Sequence, residues 1–307
     1  MSVPYAKVIV NPAAGGYSVG REWPRIRRRL RDIGLSFDHE YTEGKGHAIE
    51  LAKKAVDAGY GYLIAVGGDG TVNEVANGIL GSAAADSTIM GVVSAGTACS
   101  LARSLALPRD YAAACSLLTG QGRLLIDIGV VEYKSGGQSQ RRFFVNEAGA
   151  GFGAAVMEAS MHLPSRIGPT INYVLHVARG LRSLFSYRNK HITLWLGDKA
   201  EAICNCAVVV ANGRYSGGGM CMAPEAKLDD GLLDVVIAGD MGRLELLKLW
   251  PALYRGSHTA HAKIRVEKVT SVTVQSAERV LVEADGEPLG ECPASFWVVP
   301  AALTVVV

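Results

Sequence analysis

The feature that most restricts the fold is the passage from an apolar run to a helix, through a glycine turn, at residues 62–80. Tyr62-Leu63-Ile64-Ala65-Val66 leads into Gly67-Gly68-Asp69-Gly70, and Thr71-Val72-Asn73-Glu74 follows without a break. Val72, Val75, Ala76, Ile79 and Leu80 keep the spacing of one buried helical face. Thr71 and Glu74 stand at capping-box spacing, which predicts a helix start at the end of the glycine turn.

Such a turn suits an anionic ligand. Glycine lets backbone approach a ligand closely, and unpaired N–H groups at a helix start attract phosphate oxygens. Asp69 is the unusual member, because a carboxylate beside phosphates is repulsive unless a metal ion or a transferable proton mediates. The alternative is a tight strand–helix turn without ligand, but such a turn needs one glycine and no aspartate. Val8-Ile9-Val10-Asn11-Pro12-Ala13-Ala14-Gly15-Gly16 adds a second strand ending in small residues. That loop suits phosphate or ribose, and equally an ordinary turn.

Strand-like runs at 7–10, 36–41, 62–66 and 89–93 alternate with helix-like runs at 23–33, 47–58, 71–80 and 97–105. The rhythm predicts a three-layer α/β nucleotide-binding domain over residues 1–125, with a parallel sheet between helices. Residues 126–307 change character, with strand-like runs at 124–133, 141–146, 191–196, 203–211, 233–238, 263–266, 269–274, 280–284 and 296–299. These predict a second, mostly antiparallel β domain, interrupted by one helical region at 156–187. The extreme C-terminus is left free to return to the first domain.

With 49% apolar and 20% charged residues, the 307-residue chain is globular rather than disordered. A net charge of only +2 argues against a nucleic-acid partner. The N-terminus lacks the pattern of a secretory signal, and no apolar run reaches the roughly 18–20 residues that span a bilayer. The six cysteines make no CxxC pair and read as reduced core residues of a cytoplasmic protein.

Taken together, the motifs resemble the catalytic domain of the diacylglycerol kinase and sphingosine kinase family, especially its soluble bacterial lipid kinases. The resemblance runs through nearly the whole chain: Asn11-Pro12-x-x-Gly15, Thr42-Glu43 with His47-Ala48, the block at 67–78, Gly96-Thr97, Asp127-Ile128-Gly129 and residues 146–153. It continues through Asn212-Gly213, Gly217-Gly218-Gly219, Asp230-Gly231-Leu232-Leu233-Asp234 and Asp285-Gly286-Glu287. The extension Asn73-Glu74-Val75-x-Asn77-Gly78 is its most specific part, since the Gly-Gly-Asp-Gly-Thr core also occurs in NAD kinases.

By position, the resemblance implies that Asn11, Pro12, Ala13, Ala14, Gly15, Thr42, Gly67, Gly68, Asp69, Gly70, Thr71, Val72, Asn73 and Thr97 bind ATP. Asp69 would act through Mg²⁺, and Glu287 would be the general base that takes the acceptor hydroxyl's proton. Read alone, Asp-Gly-Glu is also a common solvated turn. The segment 227–234 resembles a structural metal loop, with the Asp230 carboxylate and the carbonyls of Lys227 and Leu232 as ligands. Hard oxygen donors suit Mg²⁺ or Ca²⁺, and a plain β-turn at Asp229-Asp230-Gly231 is the alternative. Asp127 matches a position near the acceptor headgroup, or a buried residue at the domain junction.

One departure stands out. Family members carry Pro-x-Gly-Thr followed by x-Asn-Asp, where this chain reads Ser94-Ala95-Gly96-Thr97-Ala98-Cys99-Ser100. The missing carboxylate removes a second partner for a metal–water network beside the phosphates.

The implied partner is a lipid of the diacylglycerol or sphingoid kind, met by peripheral association with the membrane. The helical region at 167–187 carries an apolar stripe with Arg166, Arg179, Arg182 and Arg188 around it, which suits either an interfacial helix or a core-facing one. A homodimer is left open. The alternative functions are an NAD kinase, through the pair Asn146-Glu147, and a non-catalytic nucleotide- or lipid-binding relative, motivated by Cys99-Ser100.

Overall fold

A computed structural model describes residues 4–94, 99–108, 110–160, 182 and 186–307 of the chain. They form two compact units, Met1–Ile128 with Pro300–Val307, and Gly129–Val299.

In the first unit, β1 (Ala6–Val10), β2 (Phe37–Tyr41), β3 (Tyr62–Gly67) and β4 (Ile89–Ser94) form a parallel sheet in the order β2-β1-β3-β4. The returning C-terminus adds a parallel edge, with Thr304 opposite Ile89. The helices are α1 (Ala14–Asp32), α2 (His47–Asp57), α3 (Asp69–Leu80), α4 (Ser100–Ser104) and α5 (Tyr111–Leu117). Alternation along the strands explains the three layers. Val8, Val10, Ile64 and Val66 share a core with Val19, Trp23, Ile26 and Leu30 of α1 and Cys115 of α5. The intervening Ile9, Leu63 and Ala65 are fully buried as well, and α2 and α3 pack on β1 and β3.

The capping box expected at Thr71 and Glu74 does not form. Helix α3 begins two residues earlier, at Asp69, and has no side-chain cap. Thr71 Oγ1 accepts a hydrogen bond from Asn11 Nδ2 at 3.0 Å instead. The Glu74 carboxylate crosses to the start of α2, accepting the N–H groups of Gly46 (2.8 Å) and Ala48 (3.1 Å). Close approach of α2 and α3 makes this reach feasible: a Cβ on Gly78 would meet the carbonyl of Ile49 at 2.5 Å.

The strand pairs described within the second unit are antiparallel, and its strands at 123–135 and 287–306 extend past its bounds. Its elements are β5 (Arg123–Ser135), β6 (Gln138–Phe144), β7 (Glu147–Gly151), α6 (Phe152–Ser160), β8 (Lys190–Leu196), β9 (Lys199–Asn205), β10 (Ala207–Ala211), β11 (Tyr215–Ser216), β12 (Met220–Cys221) and β13 (Leu233–Ala238). They continue with α7 (Arg243–Arg255), β14 (Ile264–Val269), β15 (Ser271–Gln275), β16 (Leu281–Ala284) and β17 (Glu287–Val306). The main ladder runs β14-β13-β10-β7-β16-β17. Strand β15 joins β17 to β8, β8 pairs with β9, and β5 with β6. Phe144, Leu194, Val210, Val235, Val274 and Phe296 fill the core between these strands.

Several elements depart from the expected pattern, among them strand β7 and helix α5, which it did not contain. The run at 203–211 is two strands, divided at Cys206, and the helix α7 at 243–255 was not anticipated. Of the helical region expected at 156–187, the part at 161–181 and 183–185 lies outside the described residues, so its proposed lipid-facing stripe is not assessed. No cysteine among the described residues is in a disulfide, and no described helix is long and apolar enough to cross a membrane.

Glu74 predicts a measurable dependence of one helix on another. Glu74→Ala is expected to lower stability in urea unfolding by about 3 kcal/mol, from roughly 1.5 kcal/mol for each charged hydrogen bond lost. Glu74→Gln, with one acceptor oxygen, should lose about half as much; equal stability of all three proteins would refute the cross-cap.

Candidate active site

The glycine turn is shaped by the threonine that follows it. A Cβ at Gly67 would stand 2.6 Å from Thr71 Cβ, so only glycine fits beneath that side chain. Thr71 is bonded to Asn11, whose Oδ1 accepts the N–H of Ala13 at 3.1 Å. One asparagine therefore joins the β1 loop to the start of α3. The β2 loop is brought in by backbone, with Thr42 N–H donating to Val10 O at 2.9 Å, and by the Glu74 bonds to Gly46 and Ala48.

These three loops enclose a cavity of about 540 Å³, lined by Asn11, Ala13, Ala14, Gly15, Thr42, Glu43, Gly44, Lys45, Gly68, Asp69, Gly70, Thr71 and Glu74. A Cβ at Gly70 would meet nothing within 4 Å, so the missing side chain leaves that wall bare. The first turn of α3 presents backbone N–H groups and the positive end of its dipole, and Lys45 adds a cation. The arrangement favours a polyanion.

Asp69 is held in place from α4. Ser100 donates its N–H to Asp69 Oδ1 at 2.7 Å and its hydroxyl to Oδ2 at 3.2 Å. The position where family members carry a carboxylate thus supplies two donors to the carboxylate that remains. Cys99, just before it, takes φ 50°, a conformation that asparagine adopts more readily.

The expected nucleotide residues divide accordingly. Asn11, Ala13, Ala14, Gly15, Thr42, Gly68, Asp69, Gly70 and Thr71 line the cavity, whereas Pro12, Gly67, Val72 and Asn73 do not. Val72 is buried, with its N–H on Gly68 O at 3.1 Å, and Asn73 is buried with its oxygens on Asn77. Thr97 lies outside the described residues. Lys45 was missed, although Gly44-Lys45-Gly46 between a strand and a helix is a readable sign of a loop cation.

In the second unit, Glu287 pairs with Arg142 at 3.2 Å, and both side chains are mostly covered. The turn before it is rigidly held. Asp285, at φ 46°, accepts the N–H groups of Val145 (2.7 Å), Asn146 (2.9 Å) and Glu147 (3.1 Å). Gly286 N–H donates to Glu283 Oε2 at 3.0 Å. Glu283 stands opposite Gly149 across the β16–β7 ladder, where a Cβ would come within 3.3 Å of its Oε1. Burial, then the neighbouring Glu147, holds the Glu283 carboxyl well above its ordinary range. Burial likewise pushes Glu147 up to about 7, opposed by the hydrogen bond from Ser216 and reinforced by Asp285.

Asp127 is buried, and its Oδ1 accepts the N–H of Ala301, tying the returning C-terminus to the first unit. At the loop 227–234, Lys268 Nζ lies 2.8 Å from Asp234 Oδ2 and 3.5 Å from Asp230 Oδ2. Asp230 Oδ1 accepts the Leu232 N–H at 3.2 Å. Among the described residues, no group of three His, Cys, Asp or Glu side chains could hold a metal ion. An ammonium therefore already supplies positive charge to the acidic turn for which the resemblance implies a divalent cation.

Residues 5–131 match the family model for the diacylglycerol kinase catalytic domain. Residues 146–307 match that for the YegS C-terminal NAD kinase beta sandwich-like domain. A diacylglycerol kinase of Staphylococcus saprophyticus is 28% identical over 291 residues, covering 95% of this chain and 91% of the relative. One from Staphylococcus aureus is 29% identical over 293 residues, covering 95% and 88%. The crystal structure of a diacylglycerol kinase from Bacillus anthracis has the same fold, with a TM-score of 0.72 at 20% identity, covering 99% of this chain and 96% of that one.

The buried carboxyls give a pH signature. Folding raises Glu147 from its ordinary 4.5 to about 7, so its stabilisation is complete below 4.5 and is lost as pH rises through about 7. Thermal melts should show a midpoint that falls across this window, and a flatter profile for Glu147→Gln. Identical slopes would clear Glu147 as the source.

Proposed function

The chain belongs to the diacylglycerol kinase family, and from that premise we propose that it transfers the γ-phosphate of ATP to a hydroxyl of a membrane lipid of the diacylglycerol or sphingoid kind. The observation that carries this is the cavity of about 540 Å³ where the start of α3, the Asn11 loop and Lys45 converge with Asp69. Backbone N–H groups and an ammonium suit the triphosphate, while the carboxylates of Glu43, Asp69 and Glu74 in the same wall call for a cation beside it.

The donor set fits Mg²⁺, which takes one or two carboxylates and completes its shell with substrate phosphates and water. Asp69 would hold it, and the ion would supply neutralisation of charge on the phosphates during transfer. Ser100 keeps the Asp69 carboxylate oriented with two hydrogen bonds, of which the one from its hydroxyl could not come from a second carboxylate. Glu287 takes the proton of the lipid hydroxyl, with Arg142 and the locked Asp285 turn restricting its rotamers. Transfer is in line, and most of the acceleration comes from positioning and charge stabilisation.

An NAD acceptor fits less well. That activity would need Asn146 and Glu147 to face a ribose, whereas Asn146 is 3% exposed and Glu147 is bonded to Ser216.

The test is phosphate transfer from γ-labelled ATP with Mg²⁺ to diacylglycerol, a sphingoid base or NAD. Labelled lipid is expected and labelled NAD is not. Asp69→Asn, which keeps an oxygen for the Ser100 N–H, should lower turnover at least about 100-fold, equivalent to about 2.7 kcal/mol of barrier, with an unchanged melting midpoint. Full turnover by that variant would remove Asp69 from the reaction.

A further inference from the structure

Helix α7 (Arg243–Arg255) carries apolar residues on both of its sides. Its inner side is half-buried, with Leu246, Leu249, Trp250 and Leu253 turned inward, and the helix packs on β12 and on the turn Ser257–Ala260. Its outer side is no polar face. Leu244 is 73% exposed, Leu247 43% and Tyr254 40%, and Pro251 is exposed beside them. At 3.6 residues per turn, these four fall within one arc of about 80°. Leu244 is the most exposed of the large apolar side chains among the described residues.

The charges around that arc all have one sign. Arg243 borders it on one side, Lys248 and Arg255 on the other, and all three are exposed. None of the three makes an ion pair among the described residues. The helix's single acid, Glu245, is turned away from the arc, accepting the Gly242 N–H at 2.6 Å and pairing with Lys263 at 2.9 Å. An apolar strip rimmed by cations, with no acid within it, complements an anionic bilayer surface: the aliphatic and aromatic groups enter the headgroup boundary and the cations meet lipid phosphates. A protein partner would be expected to bring acids opposite the cations, and a second copy of this helix would bring cations against cations.

We propose that the outer face of α7, centred on Leu244, Leu247 and Tyr254, docks this protein on anionic membrane surfaces. This deepens the lipid-kinase reading and rests on it for its purpose, but vesicle binding can be measured without turnover.

Co-sedimentation with vesicles of phosphatidylcholine alone, or of phosphatidylcholine and phosphatidylglycerol in equal parts, tests it. Wild-type protein is expected to pellet with the anionic vesicles and to be released by salt. The combined variant R243Q/K248Q/R255Q should bind roughly 100-fold more weakly, from about fivefold per cation. The double variant Leu244→Ser/Leu247→Ser should also lose binding, with unchanged circular dichroism and undiminished phosphorylation of a short-chain diacylglycerol dispersed in water. Failure of the wild type to bind either vesicle, or wild-type binding by both variants, overturns the proposal. So does a wild-type dimer that the leucine substitutions convert to monomer, which would assign the face to a second copy. Loss of vesicle binding by both variants, in a protein that phosphorylates no lipid at all, would sustain the docking face and sink the kinase reading instead.

Discussion

The hydrogen bond from Asn11 to Thr71 is the contact on which the geometry of the candidate site depends. It joins two loops that are 60 residues apart in the chain, and it fixes the threonine under which only glycine fits at position 67. With Thr71 held by Asn11, α3 starts at Asp69 rather than at a threonine cap. Glu74, released from capping its own helix, locks the β2 loop and so places Lys45 on the cavity wall. Three loops are positioned by the side chains of Asn11, Thr71 and Glu74, none of which needs a ligand to hold its place.

A second constraint operates in the other unit. Asp285 gathers three consecutive N–H groups at the entry to β7, which satisfies backbone donors that the short turn leaves without partners. The cost is a concentration of carboxylates: Glu283 and Glu147 stand near it in the interior, and burial keeps both toward the protonated form. Gly149 leaves the room that Glu283 requires. Glu287 emerges from this frame with Arg142 as its counter-charge, so the orientation of the candidate base is set by groups that do not react.

The replacement of a family carboxylate by Ser100 illustrates how one side chain can change the nature of a site without dissolving it. The Ser100 hydroxyl gives Asp69 a second donor beside the backbone N–H, where a carboxylate would have given it a like-charged neighbour. At the loop 227–234, Lys268 similarly provides in protein what a bound cation would otherwise provide.

The sequence by itself determined the elements whose patterns are local. The β3–α3 junction, the alternation of strand and helix to residue 94, and the antiparallel character of the remainder all follow from periodicity and from glycines at strand ends. Most of the cavity wall could be named the same way, because glycine loops after strands converge at one end of a parallel sheet. Tertiary structure alone decided the partners. Whether Glu74 caps its own helix or another depends on the distance between α2 and α3, and that distance is set by Gly78 against Ile49. Strand β7, Glu-Ala-Gly-Ala-Gly, has no strand signature, since its small residues serve neighbours on both sides. Helix α7 escaped detection because its outer face is as apolar as its inner one, which erases the period that marks a helix packed on a core. The pairing of Lys268 with Asp230 and Asp234, and of Ser100 with Asp69, joins residues whose separation along the chain carries no trace of their separation in space.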